Sequence, residues 1–332
     1  MSAVVTVEDL RVGFTTDEGP VLAVGGVSLS LARGEVLALV GESGCGKSMT
    51  ALSIMGLLPP TATMSGSITL NGTELTGLSQ RRLRGVRGRE VAMVFQEPMT
   101  SLNPAFTIGF QVGEVLRRHE HLTRRQARER VVELLRQVRI PSPETRVREY
   151  PHQLSGGMRQ RVMIAMAVAC NPAVLIADEP TTALDVTIQA QVLDILRDLR
   201  RTLGTAILLI THDLGVVADI ADRVEVMYAG HLVESASVED LFARPQHPYT
   251  LGLLGALPRL AGGDRRLREI PGLVPTLRRS PTSCVFAPRC PRAGDRCGEL
   301  VPDLAEAAPG HVVSCFHPGP GADLPGEPVV GA

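Results

Sequence analysis

Short apolar runs rich in branched side chains recur along the chain, and stretches with helical spacing lie between them. Val36–Val40, Val91–Phe95, Val174–Ala177 and Ala206–Ile210 are continuous apolar segments of strand length. Runs of that kind, without alternation, read as strands buried on both faces. Between them, Gln126–Val138 puts Ala127, Val131, Leu134, Leu135 and Val138 on one side, which is the spacing of an amphipathic helix. Thr187–Leu203 does the same through Ile188, Val192, Ile195, Leu196, Leu199 and Leu203. Strands alternating with such helices predict an α/β domain on a largely parallel sheet.

The pattern breaks towards the end. From Pro271 onward lie 11 of the chain's 24 prolines, too many for long helices or central strands. A boundary is expected between residues 250 and 270, with Ala261–Asp264 as a flexible link, and the last dozen residues are expected to lack fixed structure. Residues 1–250 then form one domain and 251–332 an extension. The most apolar stretch, Val162–Ala177, is interrupted by Asn171 and Pro172 and is too short for a membrane span. The first residues, Met1–Glu8, carry neither a basic start nor a long apolar run, so no secretory signal is expected.

Composition narrows the function classes. A net charge of -1, no tryptophan and 3% aromatic residues give no electrostatic footprint or stacking platform for nucleic acid. Of the six cysteines, Cys45 and Cys170 sit in the main domain, whereas Cys284, Cys290, Cys297 and Cys315 crowd the tail.

Two constellations carry chemistry. Gly41-Glu42-Ser43-Gly44-Cys45-Gly46-Lys47-Ser48 follows the Val36–Val40 strand and precedes a helical stretch, Met49–Leu58. Its glycines allow successive backbone N–H groups to turn inward on phosphate at the positive end of a helix. In that context Lys47 reaches the β- and γ-phosphates and Ser48 ligates Mg²⁺. The Val174–Ala177 strand runs into Asp178 and Glu179. Asp178 is placed to hold Mg²⁺ through water, and Glu179 to polarise the attacking water as general base.

The order of this phosphate loop, Gln96, Leu154-Ser155-Gly156-Gly157, Asp178-Glu179, Ala183-Leu184-Asp185 and His212 resembles the nucleotide-binding subunit of ABC transporters. The resemblance covers residues 1 to about 250. It implies a P-loop NTPase (RecA-like) core with an α-helical subdomain at about residues 97–165, and two such domains paired head to tail. Each ATP then lies between one phosphate loop, Met49 included, and the other chain's Ser155–Gly157. The resemblance also implies that His212 contacts the γ-phosphate, that Asp185 lies at the dimer seam, and that Gln96 senses Mg²⁺ and ATP. Phe14 is the matching position for adenine stacking; the plainer reading is an ordinary core phenylalanine.

Further stretches resemble the oligopeptide/dipeptide importer branch: Phe95–Pro104, His247–Thr250, Ile270–Pro275 and Ser283–Pro291. The branch implies a second homologous ATPase, two membrane permeases and an extracytoplasmic binding protein, with this chain peripheral on the cytoplasmic face. Nickel chelates, glutathione and oligosaccharides are alternative cargoes within the branch. A soluble ABC ATPase of DNA repair or translation is the rival outside transport, but the stretch between Ser48 and Ser155 is short and without heptads. For the tail thiols a [4Fe–4S] cluster, zinc and simple packing all remain open, with His317 a further candidate ligand.

Overall fold

The computed structural model describes residues 3–95, 101–182, 184–256 and 270–319. Its strands are β1 (Ala3–Thr16), β2 (Gly19–Ala32), β3 (Val36–Val40), β4 (Ala62–Leu70), β5 (Thr73–Glu74) and β6 (Val91–Val94). They continue with β7 (Val174–Asp178), β8 (Ala206–Thr211), β9 (Arg223–Tyr228), β10 (His231–Ser237), β11 (Ala305–Ala308) and β12 (His311–Val313). The helices are α1 (Lys47–Ile54), α2 (Gln80–Val86), α3 (Ile108–His119), α4 (Arg124–Gln137), α5 (Pro143–Arg146) and α6 (Gly156–Ala167). After them come α7 (Val186–Leu203), α8 (Leu214–Ile220), α9 (Val238–Ala243), α10 (Pro248–Gly255) and α11 (Asp295–Glu299).

The four apolar runs become β3, β6, β7 and β8, neighbours in a sheet of order β11-β12-β10-β9-β3-β8-β7-β6. They pair in parallel, with Val36 opposite Ile207, Val91 opposite Val174 and Val174 opposite Ala206. Successive side chains of a strand point to opposite faces, and the core divides accordingly. Val36, Ala38, Val40, Leu175 and Ala177 pack with the helices. Leu37, Leu39, Val174 and Ile176 pack beneath a second, antiparallel sheet of order β2-β1-β4-β5. That second sheet was not foreseen: β1 and β2 mix polar and apolar residues across repeated register shifts, which blurs their alternation.

The helices end where local chemistry stops them. Helix α1 starts two residues before the expected Met49 and ends at Ile54, short of Leu58. Gly56 adopts a left-handed φ of 59°, and the Leu57 N–H returns to the Leu52 carbonyl at 2.8 Å, a Schellman closure. Helix α4 begins at Arg124, with Thr123 and Gln126 forming a capping box. Helices α3 to α6 follow one another between Ile108 and Ala167, and α6 packs on α3, α4 and β6.

Beyond α10 the chain returns to the main body. The expected link at Ala261–Asp264 and the last dozen residues lie outside the described residues. Strand β12 pairs with β10, Glu234 opposite Val313. The fully buried Glu234 carboxylate accepts the N–H groups of Gln246 (2.6 Å) and His247 (2.9 Å) and lies 2.7 Å from His311 Nε2. Phe286 packs edge-on to Tyr228, ring centroids 5.1 Å apart, and beside Tyr249 at 5.5 Å. Burial pushes the His247 ring down to about 3. It is therefore neutral, and its Nδ1 accepts the Tyr249 N–H at 3.0 Å to cap α10.

Candidate active site

The phosphate loop bridges β3 and α1, and its backbone is one that only glycine tolerates at two points. Gly41 and Gly46 hold φ of 150° and 100°. A Cβ on Gly41 would stand 2.1 Å from the Met227 carbonyl oxygen, and one on Gly46 2.3 Å from that of Ala23. Ser43 and Gly44 form the exposed tip, while Cys45 is buried and Met49 packs on the core beneath. Lys47 is 6% exposed. Its ammonium donates to the carbonyl oxygens of Gly41 at 2.7 Å and Glu42 at 3.0 Å, and Cys45 Sγ lies 3.6 Å away.

Strand β7 delivers the acidic pair to the same end of the sheet. Asp178 is 5% exposed. Burial pushes its carboxyl above the ordinary value, against a hydrogen bond from Ser48 and the charge of Lys47. Its Oδ1 is buried without a hydrogen-bond partner among the described residues. A buried carboxylate oxygen left unpaired beside a serine hydroxyl is the donor set a hard cation takes up, so Ser48 and Asp178 fit Mg²⁺.

Glu179 breaks from the strand in a left-handed conformation, φ 47°. Its N–H donates to the Ile210 carbonyl at 2.8 Å, which locks the ends of β7 and β8 side by side. His212 therefore stands over it, Nδ1 to Oε1 at 3.2 Å, while the Thr182 hydroxyl donates to Oε2 at 2.8 Å. Burial pushes this carboxyl up, but the bonds from Thr182 and His212 and the charges of His212 and Lys47 outweigh it. The group lies below its ordinary value and is ionised at neutral pH.

The other expected residues sit apart. Ser155 caps α6, its hydroxyl accepting the Met158 N–H at 3.3 Å, and Asp185 caps α7, accepting the Ile188 N–H at 2.9 Å. These two helix starts touch, since a Cβ on Gly157 would meet Ile188 Cγ2 at 2.6 Å. Gly156 beside it has open space. Among the described residues no hydrogen bond or ion pair joins Ser155–Gly157 to the phosphate loop. Phe14 is half-buried on β1 opposite Val21, two residues along β2 from Ala23, whose carbonyl abuts Gly46. Gln96 and Ala183 lie outside the described residues.

The profile described as ABC transporter matches residues 24–182, and that of the oligopeptide/dipeptide transporter C-terminal region matches residues 233–297. An oligopeptide transport ATP-binding protein of Bacillus subtilis is 53% identical over 95% of this chain and 97% of its own. A probable peptide ABC transporter ATP-binding protein of Sinorhizobium fredii is 54% identical over 93% of each chain. The chain belongs to the oligopeptide/dipeptide branch of the ABC transporter ATPases. The fold of this ABC ATPase is similar to a dimeric ATP-binding cassette solved in a post-hydrolysis state with ADP and phosphate. The TM-score is 0.64 at 27% identity, over 70% of this chain and 98% of the other. ATP is accordingly the substrate of the site, and Mg²⁺ its companion. No helix among the described residues is long and apolar enough to cross a membrane.

In this ABC ATPase the four tail cysteines are free thiols. The Cys284 N–H donates to the Cys297 carbonyl at 3.0 Å. Cys290 Sγ accepts the Arg292 N–H at 3.4 Å, and Cys315 Sγ the His317 N–H at 3.3 Å. Such N–H to sulfur bonds are the support a ligating thiolate uses. Among the described residues, however, no three His, Cys, Asp or Glu side chains are grouped as metal ligands. The donor chemistry fits a metal, whereas the spacing of the thiols does not close around one. Tyr249 and Arg289 fall in the stretches His247–Thr250 and Ser283–Pro291, but sequence reasoning gave neither a role at the phosphate loop, which both reach.

Proposed function

We propose that this subunit binds and hydrolyses ATP to drive import of oligopeptides or dipeptides, peripheral on the cytoplasmic face of a membrane. The observation that carries the reading is the convergence of Lys47, Ser48, Asp178, Glu179 and His212 at one end of the parallel sheet. Lys47 and the loop N–H groups, from Gly41 to Met49, hold the phosphates; Ser48 and Asp178, with Gln96, hold Mg²⁺. A bound Mg²⁺ offsets charge on the β- and γ-phosphates. Glu179, ionised and fixed by Thr182, accepts a proton from the attacking water. His212 donates to the γ-phosphate, and Phe14 stacks on adenine.

The second half of each site comes from a homologous ATPase paired head to tail. Among the described residues no hydrogen bond joins Ser155–Gly157 or Asp185 to the phosphate loop of their own chain, which supports their service to the partner's ATP. Closure on two ATP and reopening after hydrolysis then rock the permeases between states. An apolar groove of about 530 Å³, lined by Met93, Phe95, Val115, Met163 and Met166, supports docking of a permease's cytoplasmic segment. Phe106, which lines an adjoining hollow with Val115 and Met166, is stacked 4.6 Å from Phe110, and both rings are more than two-fifths exposed.

The test is the assembled transporter in vesicles with its binding protein. ATP consumption is expected to rise with di- or oligopeptides and to stay at the basal rate with nickel chelates, glutathione or oligosaccharides. Stimulation by one of those solutes instead would reassign the cargo. The N–H groups donated to Cys290 and Cys315 support a metal at the tail thiols, an iron–sulfur cluster on Cys284, Cys290, Cys297 and Cys315 with zinc the alternative, and binding it requires the four thiols to draw together. Anaerobically purified protein is expected to carry iron and acid-labile sulfide; a colourless, zinc-loaded protein overturns the cluster.

A further inference from the structure

Glu42, the second residue of the phosphate loop, is held from the far end of the chain. Arg289 grips its carboxylate at two points, Nη1 to Oε2 at 2.7 Å and Nη2 to Oε1 at 3.0 Å. The Glu42 N–H donates to Tyr249 Oη at 2.8 Å. Its carbonyl is the oxygen that accepts from Lys47 at 3.0 Å. A single loop residue thus links the extension on one side to the phosphate-binding ammonium on the other.

Arg289 is built into this position. It ends a short 3₁₀ turn, Ala287–Arg289, directly before Cys290, and its side chain is 4% exposed. Nε donates to the Pro271 carbonyl at 2.8 Å, Nη2 to that of Ile270 at 3.1 Å, and Nη1 to Tyr228 Oη at 3.5 Å. With the two bonds to Glu42, all five N–H donors of a guanidinium have acceptors. The guanidinium carbon lies 5.7 Å from the Tyr228 ring centre, where the ring face attracts a cation. Lysine can reproduce the charge but not the fork.

An unpaired carboxylate in this loop would repel the triphosphate that the loop receives, in a site where part-burial weakens screening. Arg289 cancels that charge and fixes the Glu42 side chain, while Tyr249 holds the Glu42 N–H. We propose that Arg289 is a positioning residue of the nucleotide site, by which the cysteine-bearing extension controls the affinity of the phosphate loop for ATP. The proposal rests on the reading that Gly41–Ser48 holds the phosphates of ATP.

Arg289→Ala, Arg289→Lys, Glu42→Gln and the Arg289→Ala/Glu42→Gln pair are compared as full chains for MgATP affinity and in the assembled transporter for kcat and KM. Arg289→Ala is expected to raise Kd and KM for ATP about tenfold, with a smaller change in kcat. Arg289→Lys is expected to fall between Arg289→Ala and the parent. In the Glu42→Gln background, adding Arg289→Ala is expected to change Kd by less than about twofold, because the charge it compensates is gone. The same loss in both backgrounds means that Arg289 only holds the extension together, and overturns the proposal. An unchanged Kd in Arg289→Ala overturns it too; if that variant fails to fold, parent-like affinity in Arg289→Lys does so. Lys47→Ala separates the two readings: parental affinity there removes the phosphate-loop assignment itself, whatever Arg289 does.

Discussion

Glu179→Gln in the assembled transporter is expected to lower kcat for ATP hydrolysis by about 10²- to 10⁴-fold, the range supplied by a positioned general base. Glutamine keeps the size of the side chain and an oxygen to accept the Thr182 hydroxyl, which now lies 2.8 Å from the carboxylate. It cannot take a proton. The left-handed turn at φ 47° and the backbone bond to Ile210 do not depend on the charge, so the local structure should persist. Ser48, Asp178 and Lys47 are untouched, so MgATP is expected to bind with an affinity near that of the parent and to hold the subunits closed. Single-turnover hydrolysis beside a binding isotherm separates the two effects. Hydrolysis at the parental rate would mean that another group serves as base.

Lys47→Ala is expected to weaken MgATP binding by about 100-fold, since a charge-assisted bond from an ammonium to phosphate contributes a few kcal/mol in a sheltered site. The ammonium now satisfies the carbonyl oxygens of Gly41 and Glu42 at 2.7 and 3.0 Å. The Glu42 carbonyl is part-buried and the loop tip at Ser43 and Gly44 is exposed, so water entering from the tip is expected to replace the lost donor and the fold to survive. Calorimetric titration of the full chain reads the affinity, and its thermal midpoint checks the fold. A Kd within about threefold of the parent would remove Lys47 from the site.

Much of this arrangement is written locally. Five consecutive apolar residues from Val36, all buried, can satisfy their side chains only between two layers, and the glycines behind them permit positive-φ turns that other residues resist. The loop, the strand that aims Asp178 and Glu179, and the caps at Ser155 and Asp185 all depend on residues a few positions apart. Short-range sterics and hydrogen bonding therefore make them readable in order along the chain. The limits of α1 were misjudged because Gly56 closes the helix with a left-handed residue, a signal that apolar spacing does not carry.

The antiparallel sheet β1-β2-β4 is different. Its register slips repeatedly, and its inner residues are chosen by the surface of the parallel sheet beneath them. No period within 30 residues shows that surface. The extension is a stronger case. Its prolines and cysteines announce irregular structure, yet where it docks depends on Glu234 meeting His311 and on Phe286 entering the Tyr228–Tyr249 pocket. Local sequence accounts for the phosphate loop that receives ATP, because backbone turns and helix starts are decided by neighbouring residues. The return of Arg289 onto Glu42, 247 positions apart, was settled by the packing of the whole chain. An ion pair's partner is selected by which surfaces bury each other, and no single segment encodes that.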